Sequence, residues 1–353
     1  MATDHADLYR ILDANLNRTR EALRVVEEYA RFRLDAATLC ELVKQLRHDL
    51  RAAAEVFPQR ELLASRDTAR DVGTAITTAT ESARTDADDV LRAALKRLPE
   101  SLRALEEYAK PLSAQAAAAF EQLRYRVYTL EKAFNAVLHG TARLASVRLY
   151  VLVTGSLCRL PPLETVDAVL AGGADAVQLR EKLMPAGELL DLAHAVTERC
   201  HRAGALSIVN DRADIARAAG ADGVHVGQDD LPVRACRQVL GPSAVVGVSA
   251  QTPEMAARAL ADGADYLGVG PVFASSTKSR DFTIGVDGLR DVRCAAAPLP
   301  CVAIAGITLE NLDAVLAAGP PAVAVCSDII AAADPQARAA AFKKKLLAAF
   351  PLP

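Results

Sequence analysis

From Arg148 onward the chain alternates, eight times over, a short β-rich run with an alanine-rich amphipathic stretch. Few folds accept that grammar. The runs lie near 148–153, 175–180, 206–209, 223–226, 244–248, 265–269, 300–304 and 322–325. A helical pattern follows each, and the fourth is expected to be short and to begin near Pro232. Three runs are entered through the same joint: Gly173-Ala174-Asp175, Gly220-Ala221-Asp222 and Gly263-Ala264-Asp265. Glycine there can end the preceding helix in the left-handed conformation, and the small alanine lets the chain enter the sheet. Eight strand–helix units in about 205 residues are the economy of a (β/α)8 barrel, with a doubly wound sheet as the alternative.

Residues 1 to about 140 follow another rule. Helical periodicity runs almost throughout, with Pro58 the only proline before residue 99 and Gly73 the only glycine before residue 140. The segment from Glu21 to Ala30 recurs from Glu100 to Ala109, 79 residues on, and Leu46-Arg47 recurs as Leu123-Arg124, 77 residues on. This is the pattern of a duplicated helical hairpin whose copies pack into a bundle. A polar stretch, Ser65 to Thr74, separates them. It reads either as an ordinary inter-helix loop or as an anion- or metal-binding loop built from Arg66, Asp67, Arg70 and Asp71 beside Gly73. The expected organisation is an all-helical domain over 1–140 and a barrel over 146–353, with a boundary near His139-Gly140-Thr141.

The 353 residues, 51% of them hydrophobic, can bury one large core or two smaller ones. A net charge of −3 makes no case for nucleic acid or an anionic membrane. No run is apolar and long enough to cross a bilayer. Residues Met1 to His5 have neither the basic start nor the apolar core of a signal peptide. Seven cysteines without a C-x-x-C pair fit reduced thiols, so a cytoplasmic location is expected. Homo-oligomer formation is left open.

In a (β/α)8 barrel the chemistry sits on the loops after the strands. Val177 and Leu179 have strand spacing, and Gln178, Arg180 and Lys182 share the other face, where two cations and an amide suit a phosphate-bearing ligand. The plain alternative is a strand capped by solvated charge. Later strands end in Asn210-Asp211, Gly227-Gln228-Asp229-Asp230, Ser249, Ser275-Ser276-Thr277-Lys278, Ala305-Gly306 and Cys326-Ser327. Carboxylates on adjacent loops, Asp211 and Asp230, can hold magnesium. Ser275, Thr277 and Lys278 form a phosphate clamp, and Gly306 with the backbone at 326–327 forms the phosphate site common after strands 7 and 8. Taken singly, Asn-Asp is more often a turn or helix cap, and Ser-x-Thr-Lys a solvated loop. No Ser–His–Asp or Cys–His pair is expected at the strand ends. His225 falls inside the fourth strand and is read as structural.

The ordered set QLREK, NDR with ADGVHVGQ-x-D, GVS, DYLGVGPVF-x-(S/T)-x-TK, AI-x-GI and V-x-S resembles thiamine phosphate synthase over about 150–330. The resemblance implies a (β/α)8 barrel. It further implies that 4-amino-5-hydroxymethyl-2-methylpyrimidine diphosphate is joined to 4-methyl-5-(2-phosphoethyl)thiazole, or to its carboxylated precursor, with release of pyrophosphate. It assigns Gln178, Leu179, Arg180, Glu181, Lys182, Asn210, Ser249 and Lys278 to the pyrimidine diphosphate, with Arg180, Lys278 and Ser249 catalytic. Magnesium falls to Asp211 and Asp230. The thiazole phosphate falls to Ser275, Ser276, Thr277, Gly306, Cys326 and Ser327. Two departures stand out: Ser275 where the family often has threonine, and Gln251 where it often has histidine. A related thiazole tautomerase uses that histidine as its acid–base group, and glutamine cannot shuttle protons. A non-catalytic ligand-sensing barrel would not need Asp211 and Asp230.

The helical half is similar to a domain fused ahead of such synthases and proposed to phosphorylate hydroxymethylpyrimidine phosphate. The similarity rests on Asn15-Leu16-Asn17-Arg18, the repeated L-R-x-x-E-E-Y-A and Tyr125 to Glu131. No P-loop or glycine-rich nucleotide loop is present. A kinase would draw on Asn15, Arg18, Arg24, Glu28 and the Arg66–Thr74 loop; a dimerisation or docking bundle would use the same residues as a helix's polar edge.

Overall fold

Glu27 and Glu106 hold equivalent places in the repeated segment, and both are buried. Each is met by the repeated arginine: Arg47 pairs with Glu27, and Arg124 donates Nε and Nη2 to Glu106 at 3.0 and 2.9 Å. The two recurrences in the sequence are therefore the two halves of one ion pair, made twice. A buried carboxylate stripped of its partner is strongly destabilising, so the pair fixes the register of each hairpin.

The structure, a computed structural model, describes residues 5–73, 83–275 and 282–351. Two compact units divide it, Met1–Lys132 and Ala133–Pro353. The first contains α1 (Ala6–Glu28), which runs into a π-helical turn (Tyr29–Arg33), then α2 (Ala37–Ala54), α3 (Gln59–Ala64), α4 (Ala87–Ala109) and α5 (Ala114–Leu144). The last turns of α5 belong to the second unit. Leu12, Leu16, Leu23 and Val26 give α1 an apolar stripe, and Leu91, Leu98, Leu102 and Leu105 do the same for α4. The two helices pack together, and at their buried contact Thr19 Oγ1 donates to Ser101 Oγ at 2.8 Å. The Asp86 side chain caps α4 by accepting from the Asp89 N–H.

The polar stretch after α3 is a clamp among helices. Arg66 forks onto the buried Asp13 at 2.5 and 2.9 Å, Arg70 pairs with Asp67, and Arg10 donates to the Asp67 carbonyl. Its arginines are thus already engaged by acceptors of this chain. Thr74 lies outside the described residues.

In the second unit eight parallel strands close a barrel in sequence order: β1 (Leu149–Val153), β2 (Ala176–Leu179), β3 (Leu206–Asn210), β4 (Gly223–Val226), β5 (Val245–Ala250), β6 (Tyr266–Val269), β7 (Cys301–Ile304) and β8 (Ala322–Val325). Alternation along each strand sends one set of side chains inward. Tyr150, Leu152, Ala176, Ile208, Val245, Tyr266, Val302 and Ala322 form that inner core. Leu144 and Val147, at and just past the end of α5, join it. Around the barrel lie α6 (Pro162–Ala171), α7 (Ala186–Ala203), α8 (Ala213–Ala218), α9 (Val233–Leu240), α10 (Pro253–Asp262), α11 (Gly285–Ala296), α12 (Leu312–Leu316), α13 (Ser327–Ile330) and α14 (Pro335–Ala349). The helix after strand 4 begins just past Pro232 as expected, but it is not the shortest. α8 has six residues and α12 five, because tight turns at Gly220 and Gly319 return the chain to the sheet early.

Gly173, Gly220 and Gly263 all have positive φ, at 91°, 64° and 83°. The aspartates of the same joints carry a role that the sequence pattern does not announce. Asp175 accepts from the Leu149 N–H, Asp222 from the Ser207 N–H and Asp265 from the Val246 N–H, each stitching the start of its strand to the strand before it. Each also meets a cation: Lys343 for Asp175, Arg143 for Asp222 and Arg237 for Asp265. The end of α5 reaches this floor, with His139 Nδ1 3.1 Å from Asp265. A side chain at Gly140 would collide with the Asp265 carbonyl.

Candidate active site

Every strand contributes to one cavity of about 430 Å³ at the C-terminal end of the barrel. β2 and its loop supply Gln178, Arg180 and Lys182. These sit on the inward side because Val177 and Leu179 face the helices. The structure therefore does not bring Leu179 into the cavity. Glu181 is also turned away, accepting from the Gly155 N–H. β3 supplies Asn210 and Asp211, and β4 supplies His225, Gly227 and Asp230. Lys182 Nζ lies 3.1 Å from Asp211, and Asp230 accepts from the Gly227 N–H at 2.8 Å. Burial and the neighbouring Asp230 push the Asp211 carboxyl above its usual range, only partly offset by Lys182. Asp211 also has a φ of 63°, a strained conformation of the kind that gathers at functional sites.

On the far side of the barrel, Ser275, Gly306, Cys326 and Ser327 line the cavity. Gly306 has φ 66°, and a Cβ there would lie 2.3 Å from the Ala274 carbonyl oxygen, so only glycine fits. Asn311, which the sequence did not single out, holds this turn: it donates to the Gly306 carbonyl at 2.8 Å and accepts from the Thr308 N–H. Ser276, Thr277 and Lys278 lie outside the described residues. Gln251 is not among the cavity residues.

No Ser–His–Asp set is formed, but a Ser–His pair that the sequence reading did not name stands at the strand ends: His225 Nε2 lies 3.1 Å from Ser249 Oγ. Both residues are on the inward faces of neighbouring strands, where His225 registers with Gly247 two residues before Ser249. The third partner is not a carboxylate. His225 Nδ1 meets the Tyr266 hydroxyl at 3.0 Å, and burial pushes the imidazole down to about 4. A neutral histidine on a phenol is not the activating triad of an acyl-transfer enzyme. Two glycines admit the buried rings: a Cβ at Gly247 would lie 2.1 Å from Tyr266, and one at Gly268 would lie 2.8 Å from His225. Glycine inside a strand is the sequence signal that could have announced them.

Among the described residues, no helix is long and apolar enough to cross a membrane. Residues 149–329 match the thiamine monophosphate synthase family, and residues 10–133 match the ThiD2 family. A thiamine-phosphate synthase of Gloeobacter violaceus is 46% identical over 96% of this chain and 96% of its own. One from Thermosynechococcus vestitus is 44% identical over 95% and 94%. The solved thiamine phosphate pyrophosphorylase of Pyrococcus furiosus superposes with a TM-score of 0.54 at 33% identity, covering 59% of this chain and 98% of that one. With the barrel, the ordered strand-end residues and relatives that align along nearly its whole length, the chain belongs to the thiamine monophosphate synthase family and carries a ThiD2 family domain ahead of the barrel.

Proposed function

We propose that the barrel, residues 146–353, joins the aminopyrimidine diphosphate to the thiazole phosphate and releases pyrophosphate, and that residues 1–140 form a separate domain. The observation that carries this reading is one cavity with the paired Asp211 and Asp230 beside Arg180 and Lys182, and the Gly306 and Cys326-Ser327 backbone across the barrel. Two phosphorylated substrates need two anion sites facing one reaction centre.

The C–O bond between the pyrimidine methylene and the diphosphate breaks, and its electron pair leaves on the diphosphate. The amino-substituted ring supports the positive methylene carbon. The thiazole nitrogen lone pair then forms the new C–N bond, and the positive charge ends on the thiazolium. The nucleophile carries no proton, so no side-chain base is required, which accords with a neutral, fully engaged His225. Arg180 and Lys182, with Lys278, stabilise the charge that grows on the leaving group. Gln178, Asn210 and Ser249 orient the pyrimidine. Glu181 and Leu179 support that loop from behind. The thiazole phosphate is received by Ser275, Gly306, Cys326 and Ser327, with Ser276 and Thr277. Catalysis is then chiefly positioning and electrostatics.

The donor set fits magnesium. Two facing carboxylates, one with its pKa raised by burial and then by the other, offer hard oxygen ligands. No group of three His, Cys, Asp or Glu side chains suited to a metal is found among the described residues. One or two carboxylates plus waters and phosphate is how magnesium is usually held. Asp211 and Asp230 would hold it, and when bound it neutralises diphosphate charge. The test is Asp211→Asn, which keeps the shape and tolerates the positive φ. Turnover of the two substrates should fall by roughly a hundredfold or more with the thermal midpoint little changed. Full activity would remove the metal assignment.

A further inference from the structure

Five side chains form one unbroken hydrogen-bonded file through the barrel interior, and two of them, Tyr150 and Tyr266, do not line the cavity. Gln178 Nε2 donates to the Tyr150 hydroxyl at 2.8 Å. The Tyr150 and Tyr266 hydroxyls lie 2.9 Å apart. Tyr266 meets His225 Nδ1 at 3.0 Å, and His225 Nε2 meets Ser249 Oγ at 3.1 Å. Gln178, Tyr150, Tyr266 and His225 are all at most 7% exposed. The two ends, Gln178 on β2 and Ser249 on β5, line the cavity.

Proton counting gives the file a direction. A hydroxyl has one proton to donate. Tyr150 accepts from Gln178, so its proton goes to Tyr266. Tyr266 then gives its own to His225 Nδ1. Nδ1 accepts and so carries no proton, which leaves the ring proton on Nε2, donated to Ser249 Oγ. Burial keeps both phenols protonated, which prevents the order from reversing by ionisation. Ser249 therefore keeps its own proton as a donor. At the other end, the amide oxygen of Gln178 is the half that Tyr150 does not hold.

We propose that Tyr150 and Tyr266 are positioning residues that set the hydrogen-bond polarity of Gln178 and Ser249, so that the cavity reads a 4-aminopyrimidine edge and rejects its 4-oxo counterpart. The amino group donates to an acceptor, Gln178 Oε1. The ring nitrogen accepts from a donor, the Ser249 hydroxyl. A 4-oxo ring presents the opposite order, an acceptor and an N–H, and meets like against like. This rests on the pyrimidine reading above.

The test has two parts. In full-length protein with 15N-labelled histidine, His225 is expected as the Nε2–H tautomer. Tyr266→Phe should release it to a mixture, and Tyr150→Phe should leave it unchanged, since Tyr266 still donates. Binding is then measured by calorimetry for non-ionising phosphonate analogues of the pyrimidine diphosphate, 4-amino and 4-oxo. Both variants should lose on the order of tenfold or more of the wild-type preference for the 4-amino ring, because a buried donor or acceptor left mispaired is what enforces such discrimination. An Nδ1–H tautomer in the wild type overturns the polarity. Unchanged preference in both variants, with the wild type turning over the two natural substrates, overturns the inference alone. No turnover by the wild type overturns the pyrimidine reading, and this inference with it.

Discussion

Ala305 is the one cavity residue with a left-handed backbone and no side-chain chemistry to justify it, at φ 78° beside Gly306. A Cβ in that conformation costs about 1–2 kcal/mol, and glycine's extra freedom in the unfolded chain returns part of this. Ala305→Gly should therefore raise the unfolding free energy by roughly 0.5–1 kcal/mol, read as a higher urea midpoint at constant slope. A lower midpoint would mean that the methyl's packing outweighs the strain. His225 makes a second prediction. Burial takes its pKa from the usual 6.5 down to about 4. Between those values the unfolded chain binds a proton that the folded chain refuses, so stability rises with pH across this window and is lost on acidification. The loss from this one group approaches about 3 kcal/mol near pH 4. Asp211, with its pKa raised, acts in the opposite sense as its carboxyl titrates. The comparison is therefore made against His225→Gln, whose denaturation midpoint should depend less steeply on pH between 6.5 and 4; equal slopes would show that His225 is not buried neutral.

At the level of elements, the alternation of short β-rich runs with alanine-rich amphipathic stretches carried most of the barrel. It located all eight strands to within a residue or two, since strands buried on both faces read as short apolar runs. What that alternation omits is who meets whom inside. Tyr150 and Tyr266 are 116 residues apart, and nothing local in either strand announces their contact. The Gly-Ala-Asp joints show the same limit. Glycine's conformation followed from local physics, whereas the aspartate's work depends on the neighbouring strand. Asp265 is fully buried, accepts from the Val246 N–H and pairs with Arg237. Asp265→Ala should cost about 3–5 kcal/mol, because it strands a largely buried guanidinium and an amide together. Asp265→Asn keeps an acceptor for the amide and should cost less. Equal losses in the two, measured by chemical denaturation, would assign the whole effect to charge.

At the scale of the molecule, the two halves were legible to different depths for one physical reason. A barrel places its chemistry at strand ends, so order along the sequence maps onto position around a ring. A helical bundle has no such fixed mouth. Its repeat could be seen, yet what the repeat builds, a buried Glu–Arg pair in each hairpin, needed the packing to be known. That packing bears on the phosphoryl-transfer role suggested for residues 1–140. Asn15 donates to the Ile11 carbonyl, Arg24 pairs with Glu28 and Arg66 is held by Asp13. Of the side chains marked for phosphoryl transfer, Arg66 thus ties the stretch after α3 to α1, while Asn15, Arg24 and Glu28 are engaged within α1 itself. If the ThiD2 family domain nonetheless transfers phosphate, the whole chain should form thiamine phosphate from ATP, the pyrimidine monophosphate and the thiazole phosphate. Asp211→Asn should then stop that product while still letting the pyrimidine diphosphate accumulate, because the lesion lies only in the barrel. If the bundle is purely structural, the wild type makes product from the diphosphate but none from the monophosphate with ATP, and no diphosphate accumulates in the variant. Following the diphosphate by chromatography separates these outcomes in one experiment and leaves the barrel's own activity as the internal control.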